Sequence, residues 1–347
     1  MHLESLGWDA SFADAFHPYE QDGLAPARVA VEHRSEYVVY AESGELRADL
    51  AGRLRHADER PAVGDWVAVA ARPDEGRATV QAVLPRRTAF VRKVAWSETR
   101  PQVVAANVDV VFVVCALDAN YNVRRLERYL TLAWESGAQP VVLLTKADLC
   151  DDVDARVNAV EAVALGVPVH AVSAPQGDGV ETVRSHVPDG RTAALLGSSG
   201  VGKSTLVNAL VGSDLLATQE IREDGRGRHT TTHRQLVPLP EGGLVLDTPG
   251  MRELQLWDAD EGMHAAFADV DALAAECRFA DCAHAREPGC VIRAALADGR
   301  LEAERFENWR KLQRELEWLA RRQDGRARSE ARKERARFAR SLRKTSY

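Results

Sequence analysis

Nowhere in these 347 residues do apolar positions run uninterrupted for the roughly 18 that a membrane-spanning helix requires. The opening residues Met1-His2-Leu3-Glu4 lack the basic end and apolar stretch of a secretory leader, so a cytoplasmic location is expected. Cysteine is scarce and odd in number, at five, which argues against a disulfide framework and for thiols with another use. Glycine and proline, at 24 and 14 residues, are too few for a collagen-like or low-complexity chain. No internal repeat is visible, which excludes a solenoid. What remains, 45% hydrophobic and 28% charged, is an ordinary globular composition with room for two or three domains.

Charge is unevenly spread. The net charge is −7, yet residues 321–347 hold eleven Lys/Arg against three Asp/Glu, so an acidic body carries a basic tail. Such a tail suits a polyanionic partner through phosphate charge, although a solvated basic helix would read the same. Residues 1–26 read as an N-terminal extension. Between 27 and 94, short β-type runs Arg28–Val31, Glu36–Tyr40, Leu46–Leu50, Asp65–Val69 and Ala78–Val83 alternate with turns, which predicts a small five-stranded barrel. An OB-fold leads, with an SH3-like barrel giving much the same pattern. Arg86, Arg87, Arg92 and Lys93 close this stretch, either as surface charges or as one line of a nucleic-acid face. From 95 to 256 near-continuous apolar strands (Val108–Cys115, Pro140–Leu144, Val167–Val172, Thr192–Leu196) alternate with helical segments, the pattern of a doubly wound α/β domain. Residues 257–320 read as mostly helical, with Leu301–Leu319 amphipathic. Trp309 and Trp318 fall on opposite sides of that helix and read as packing anchors rather than a base-stacking platform.

Within the α/β stretch, Gly197-Ser198-Ser199-Gly200-Val201-Gly202-Lys203-Ser204 fits G-x-x-x-x-G-K-[ST], with a strand before it and the helical Thr205–Leu210 after it. Glycines let backbone N–H groups turn toward phosphate oxygens, Lys203 reaches the β- and γ-phosphates, and the Ser204 hydroxyl suits Mg²⁺. The acidic Asp247 ends a β-type run and opens Asp247-Thr248-Pro249-Gly250, where it can hold the Mg²⁺ hydration shell while the Gly250 N–H senses a γ-phosphate. Between these lies the polar Gly227-Arg228-His229-Thr230-Thr231-Thr232, a segment that can order around nucleotide and metal or simply enter a strand.

Base choice is suggested by Thr145-Lys146-Ala147-Asp148, at the end of an apolar strand. The Asp148 carboxylate would accept from guanine N1–H and its amino group, which adenine cannot supply, while the Lys146 stem packs on the ring. Ser173-Ala174 ends the next strand, where GTPases place a second base-contacting loop. These base motifs precede the phosphate loop, the reverse of the usual order. The chain therefore resembles circularly permuted GTPases and, with a barrel before and a cysteine cluster after, the ribosome small-subunit-dependent GTPase A family (RsgA/YjeQ/EngC). The likeness covers about residues 27–315 and takes in the switch-like Gly227–Thr232.

That resemblance implies GTP hydrolysis stimulated by the 30S subunit and a role in its late maturation, with 16S rRNA as the expected contact; nothing in the sequence suggests a dimer, so a monomer is expected. Met251 stands where many GTPases place the water-orienting glutamine and cannot serve that role, so His229 becomes the candidate catalytic group beside Lys203. Cys277, Cys282, His284 and Cys290 form a complete tetrahedral donor set for one structural Zn²⁺, with no open position for water. Cys115 and Cys150 read as packing residues. Two other readings stay open: an RNA-binding assembly factor whose hydrolysis is incidental, and a P-loop ATPase or kinase with a zinc accessory.

Overall fold

The computed structural model describes residues 1–33, 36–55, 60–93, 101–213, 234–247 and 259–321. His229, Thr230, Thr231, Thr232, Gly250, Met251 and nearly all of the basic tail lie outside the described residues. The chain forms two units, Met1–Gln255 and Leu256–Tyr347.

In the first unit, β1 (Ala25–Glu32), β2 (Tyr37–Ala41), β3 (Gly44–Leu50), β4 (Trp66–Arg72) and β5 (Arg77–Val83) pair in the order β1-β2-β3-β5-β4, and β4 closes back on β1. The β3–β5 pair is parallel and the rest antiparallel, and the short helix α2 (Gly52–Arg55) follows β3. This closure is the five-stranded OB arrangement. Alternate side chains turn inward, so Val29, Val39, Leu46, Val67 and Val80 fill the interior. Each such burial is worth roughly 1.5–3 kcal/mol.

The N-terminal extension is a helix, α1 (Ala10–Glu20), started by the Asp9 carboxylate, which accepts from the Ser11 and Phe12 N–H groups at 3.0 and 3.2 Å. Its Phe12 and Phe16 are buried, and the Trp8 ring lies 4.7 Å from that of Trp66 on β4. The buried Arg28 guanidinium on β1 donates to the carbonyls of Leu6, Gly64 and Asn107, tying this extension to the barrel; burial pushes its pKa down to about 10.

The barrel strands end at Val83. Beyond them β6 (Ala89–Lys93) and β7 (Pro101–Ala106) form a separate antiparallel ribbon. Arg86 does not face outward: its Nε and Nη2 each lie 2.7 Å from the buried Asp65 carboxylate. Arg87 pairs with Asp9 and stacks over the Phe12 ring. Both arginines are thus built into the fold, and the reading of this run as a line of nucleic-acid contacts loses two of its four members.

The α/β domain comprises β8 (Val110–Ala116), α3 (Val123–Glu135), β9 (Gln139–Thr145), α4 (Val153–Glu161), β10 (Val169–Val172), α5 (Val180–Ser185), β11 (Thr192–Leu196), α6 (Lys203–Val211), β12 (Arg234–Pro238) and β13 (Leu244–Asp247). Strands β10-β9-β8-β11-β13 are parallel, with β12 antiparallel at the end. β12 also pairs with β1 of the barrel, Val31 opposite Gln235 and Glu32 opposite Arg234, so one sheet runs through both domains. The Arg234 guanidinium, 2.7 Å from the Glu32 carboxylate, pins that junction.

The second unit contains α7 (Asp260–Ala266), α8 (Ala268–Ala275), α9 (Val291–Asp298) and α10 over 303–321. Arg305 on α10 is buried, holds Asp269 through two hydrogen bonds of 2.8 and 2.5 Å, and lies over the Phe267 ring. Trp309 packs inside and donates to Asp271, whereas Trp318 is 55% exposed. Among the described residues no helix is long and apolar enough to cross a membrane.

Candidate nucleotide site and metal centre

β9 and β11 flank β8, so their C-terminal ends are two strand spacings apart, about 10 Å. Loops leaving these ends form the site at the carboxyl edge of the sheet, where open α/β sheets bind ligands. The phosphate loop leaves β11. Gly197 is forced: a Cβ there would lie 2.5 Å from the Val114 carbonyl oxygen. Gly202, at φ +90°, takes a conformation that L side chains rarely adopt and starts α6. Lys203 Nζ donates to the carbonyls of Gly197 and Ser198 at 2.8 and 2.6 Å, curled over its own loop. Val201 is buried beneath, Ser199 and Gly200 are exposed, and Ser204 and Thr205 are half-buried in the first turn of α6.

Thr145 ends β9 fully buried, and its Oγ1 donates to the Val201 carbonyl at 2.6 Å. That residue therefore ties the base-side loop to the phosphate loop and is turned away from solvent. Lys146 follows in the left-handed region, φ +59°, which swings the chain into the turn Ala147–Leu149. Its ammonium lies 2.7 Å from the Asp118 carboxylate. Burial pushes the Asp118 carboxyl up, but Lys146 and the Asn120 N–H outweigh that and hold it below the usual range. Asp148 is exposed, with Oδ1 accepting from the buried Ser173 hydroxyl at 2.7 Å; Ala174, next in the chain after Ser173, is half-buried. Asp247 is the last residue of β13, the strand beside β11. The structure thus brings Thr145, Lys146, Asp148 and Ser173 onto one edge with the phosphate loop. It adds Asp118 and Arg125, neither of which local sequence pattern marks. Arg125 Nη1 donates to the Ser198 hydroxyl at 2.9 Å.

In the second unit the donor atoms of Cys277, Cys282, His284 and Cys290 all lie within 4.8 Å of one another. His284 Nδ1 is 3.6 Å from Cys277 Sγ and 3.5 Å from Cys290 Sγ, and the two sulfurs are 4.0 Å apart. A tetrahedron built with ordinary zinc–sulfur and zinc–nitrogen bonds has edges of about 3.6 Å between S and N and about 3.8 Å between sulfurs. The donor set and spacing fit such an ion. Burial pushes the Cys277 thiol up, but the Ile292 and Val291 N–H groups opening α9 prevail and hold it below its ordinary value. The Glu287 carboxylate accepts from the N–H groups of Ala283, Ala285 and Arg286 and folds the loop between His284 and Cys290. The His284 ring rests near Phe306 and Trp309 at 6.1 and 6.0 Å.

A doubly wound sheet whose base loops precede its phosphate loop is a circularly permuted GTPase. A family model described as RsgA GTPase matches residues 83–257. The Small ribosomal subunit biogenesis GTPase RsgA of Opitutus terrae is 50% identical over 338 residues, spanning 93% of this chain and 92% of that protein. The protein of the same name from Streptomyces coelicolor is 49% identical, covering 96% of this chain and 91% of its own. The crystal structure of YjeQ from Thermotoga maritima superposes with a TM-score of 0.64 at 30% identity, over 84% of this chain and 98% of that one. YloQ, described as a circularly permuted GTPase, gives a TM-score of 0.62 over 85% of this chain and 95% of its own; at 23% identity it speaks for the fold alone. The chain belongs to the RsgA GTPase family. A second family model, described as ABC transporter, matches residues 180–342. Its span takes in the strand, phosphate loop and helix common to many nucleotide-binding proteins, but not the base loops at Thr145–Asp148 and Ser173.

Proposed function

We propose that this chain binds GTP with Mg²⁺ in the crevice between the Thr145–Asp148 and Gly197–Ser204 loops and hydrolyses it to GDP and phosphate during late maturation of the small ribosomal subunit. The carrying observation is the 2.6 Å hydrogen bond from Thr145 to the Val201 carbonyl, which ties the Thr145–Asp148 loop to the phosphate loop and supports a single nucleotide meeting both. Asp148 reads the base, steadied by Ser173, and the Lys146 stem covers the ring, with Ala174 beside them. Gly197, Ser198, Ser199, Gly200, Val201 and Gly202 present backbone N–H groups to the phosphates, Lys203 neutralises the β/γ end, and Ser204, Thr205 and Asp247 lie where metal and phosphate meet. Gly250, the threonines 230–232 and His229 complete this assignment from sequence. Zn²⁺ staples the Cys277–Cys290 loop, where it supplies cohesion rather than chemistry. The barrel, the metal module and the basic tail carry the contacts to 16S rRNA, and the chain works in the cytoplasm as a monomer.

Measuring turnover of GTP and ATP with and without purified 30S subunits tests this reading. Expected are guanine preference and a marked rise in GTP turnover with subunits. Equal turnover of both nucleotides, or no response to subunits, would overturn it.

A further inference from the structure

The phosphate loop is touched by a cation that does not belong to it. Arg125, in the first turn of α3, stands 73 residues away from Ser198 in sequence, yet its Nη1 lies 2.9 Å from the Ser198 hydroxyl. Its backbone is fixed, because the Asn122 side chain caps α3 by accepting the Arg125 N–H at 2.9 Å. The neighbouring Arg124 is spent on Glu127 at 2.9 Å. Arg125 makes no ion pair within 4.0 Å among the described residues, and it is half-buried, so its contact on the loop is with the Ser198 hydroxyl.

Lys203 indicates which end of the cradle Arg125 serves. A phosphate-loop lysine reaches the β- and γ-phosphates, and here its ammonium rests on the Gly197 and Ser198 carbonyls. Ser198 is therefore at the γ end of the loop, held by two cations, Lys203 at its carbonyl and Arg125 at its hydroxyl. GTP brings more negative charge to that end than GDP does.

We propose that Arg125 is a positioning residue that acts through Ser198 to hold the γ end of the phosphate loop and add positive potential there, so that the site favours GTP over GDP. This rests on the GTPase reading above and assigns it a residue that the phosphate-loop motif does not contain. In-cis arginines are a recurrent way for GTPases to offset phosphate charge, and Met251 leaves this chain without the usual glutamine. A guanidinium already resting on the loop needs little reorganisation to act when nucleotide binds.

The test uses the full chain with Arg125→Met, Arg125→Lys and Ser198→Ala, measuring affinity for GDP and for a non-hydrolysable GTP analogue, together with single-turnover GTP hydrolysis. Arg125→Met should weaken the analogue about tenfold while changing GDP less than about twofold, the loss expected for one charge-assisted interaction. Arg125→Lys should recover most of that loss, and adding Ser198→Ala to Arg125→Met should cost little more, since the two act in one contact. A parallel loss for both nucleotides, or none, would overturn the proposal, as would a lysine variant no better than methionine. If the unmodified chain fails to hydrolyse GTP even with 30S subunits present, the GTPase reading fails, and the ratio of analogue to GDP affinity still judges Arg125.

Discussion

Asp118 and Lys146 form an ion pair of 2.7 Å across two adjacent strand ends, each side chain about one-fifth exposed. β8 delivers the carboxylate and β9 the ammonium, so the pair fixes the lysine stem over the place proposed for the base. Asp118→Asn should weaken GTP and GDP alike, by roughly three- to tenfold, because the base end is common to both. That contrasts with Arg125, whose replacement should separate the two nucleotides. Equilibrium titration of both nucleotides on one preparation checks it; an unchanged affinity would detach Asp118 from the site.

Arg86 supplies a second prediction. Its guanidinium makes two 2.7 Å contacts with Asp65, whose side chain is 0% exposed against 10% for the arginine. Removing one partner of a buried pair leaves the other charge stranded, at a cost of about 3–5 kcal/mol. Arg86→Ala should therefore lower the unfolding free energy of the first unit by about 3–5 kcal/mol, read as a lower denaturant midpoint. If Arg86 instead served RNA, the midpoint would hold and only subunit binding would fall.

What could be read in advance follows from how local each signal is. The apolar runs of β8, β9 and β11 were legible because a strand covered on both faces needs no partner to betray it, and the phosphate loop carries its own glycines and lysine. The Cys277–Cys290 cluster was equally plain from donor types within one short stretch. α1 was missed although Phe12, Phe16 and Tyr19 stand at i, i+4 and i+7, since Pro18 and the polar flanks blur the period. Arg86 read as a surface charge because nothing near it in sequence announces that Asp65, 21 residues earlier, is buried beside it. Asp118 and Arg125 escaped for the same reason: each meets its partner only once the sheet order sets β8, β9 and β11 side by side. Nothing in the sequence announces that the Thr145 hydroxyl reaches the Val201 carbonyl, 56 residues away.

The metal centre makes a prediction of its own. The full chain should carry one zinc ion, and the cobalt-substituted protein should show the absorption of a tetrahedral three-sulfur, one-nitrogen site. Chelation or Cys290→Ser should release the ion, and Trp309, whose ring lies 6.0 Å from His284, should report it by fluorescence. A loop of this kind depends on its metal, with apparent binding free energies of about 10–16 kcal/mol in small zinc modules, so the second unit should lose its cooperative melting on chelation. A chain that melts identically with and without chelator would refute the assignment.

At the far edge of the sheet, His170 on β10 and His186 after α5 face each other, Nε2 to Nε2 at 2.9 Å. One ring must donate and the other accept, so at least the accepting ring must be neutral, and the contact is lost once both are protonated. Burial pushes both pKa values below the ordinary 6.5, and for His170 the neighbouring His186 pushes in the same direction. The unfolded chain therefore takes up protons before the folded one does as pH falls. Stability is full above about pH 6.5, begins to drop as pH falls through that value, and levels off only below the depressed folded values. His170 stands three residues before Ser173, whose hydroxyl donates to Asp148, so loosening this edge reaches the carboxylate proposed to read the base. The unmodified chain should lose melting temperature and GDP affinity together between about pH 7.5 and pH 5.5. In His170→Gln, where a single titrating ring remains, both losses should shrink; pH profiles running parallel to those of the unmodified chain would show that the pair does not govern this edge.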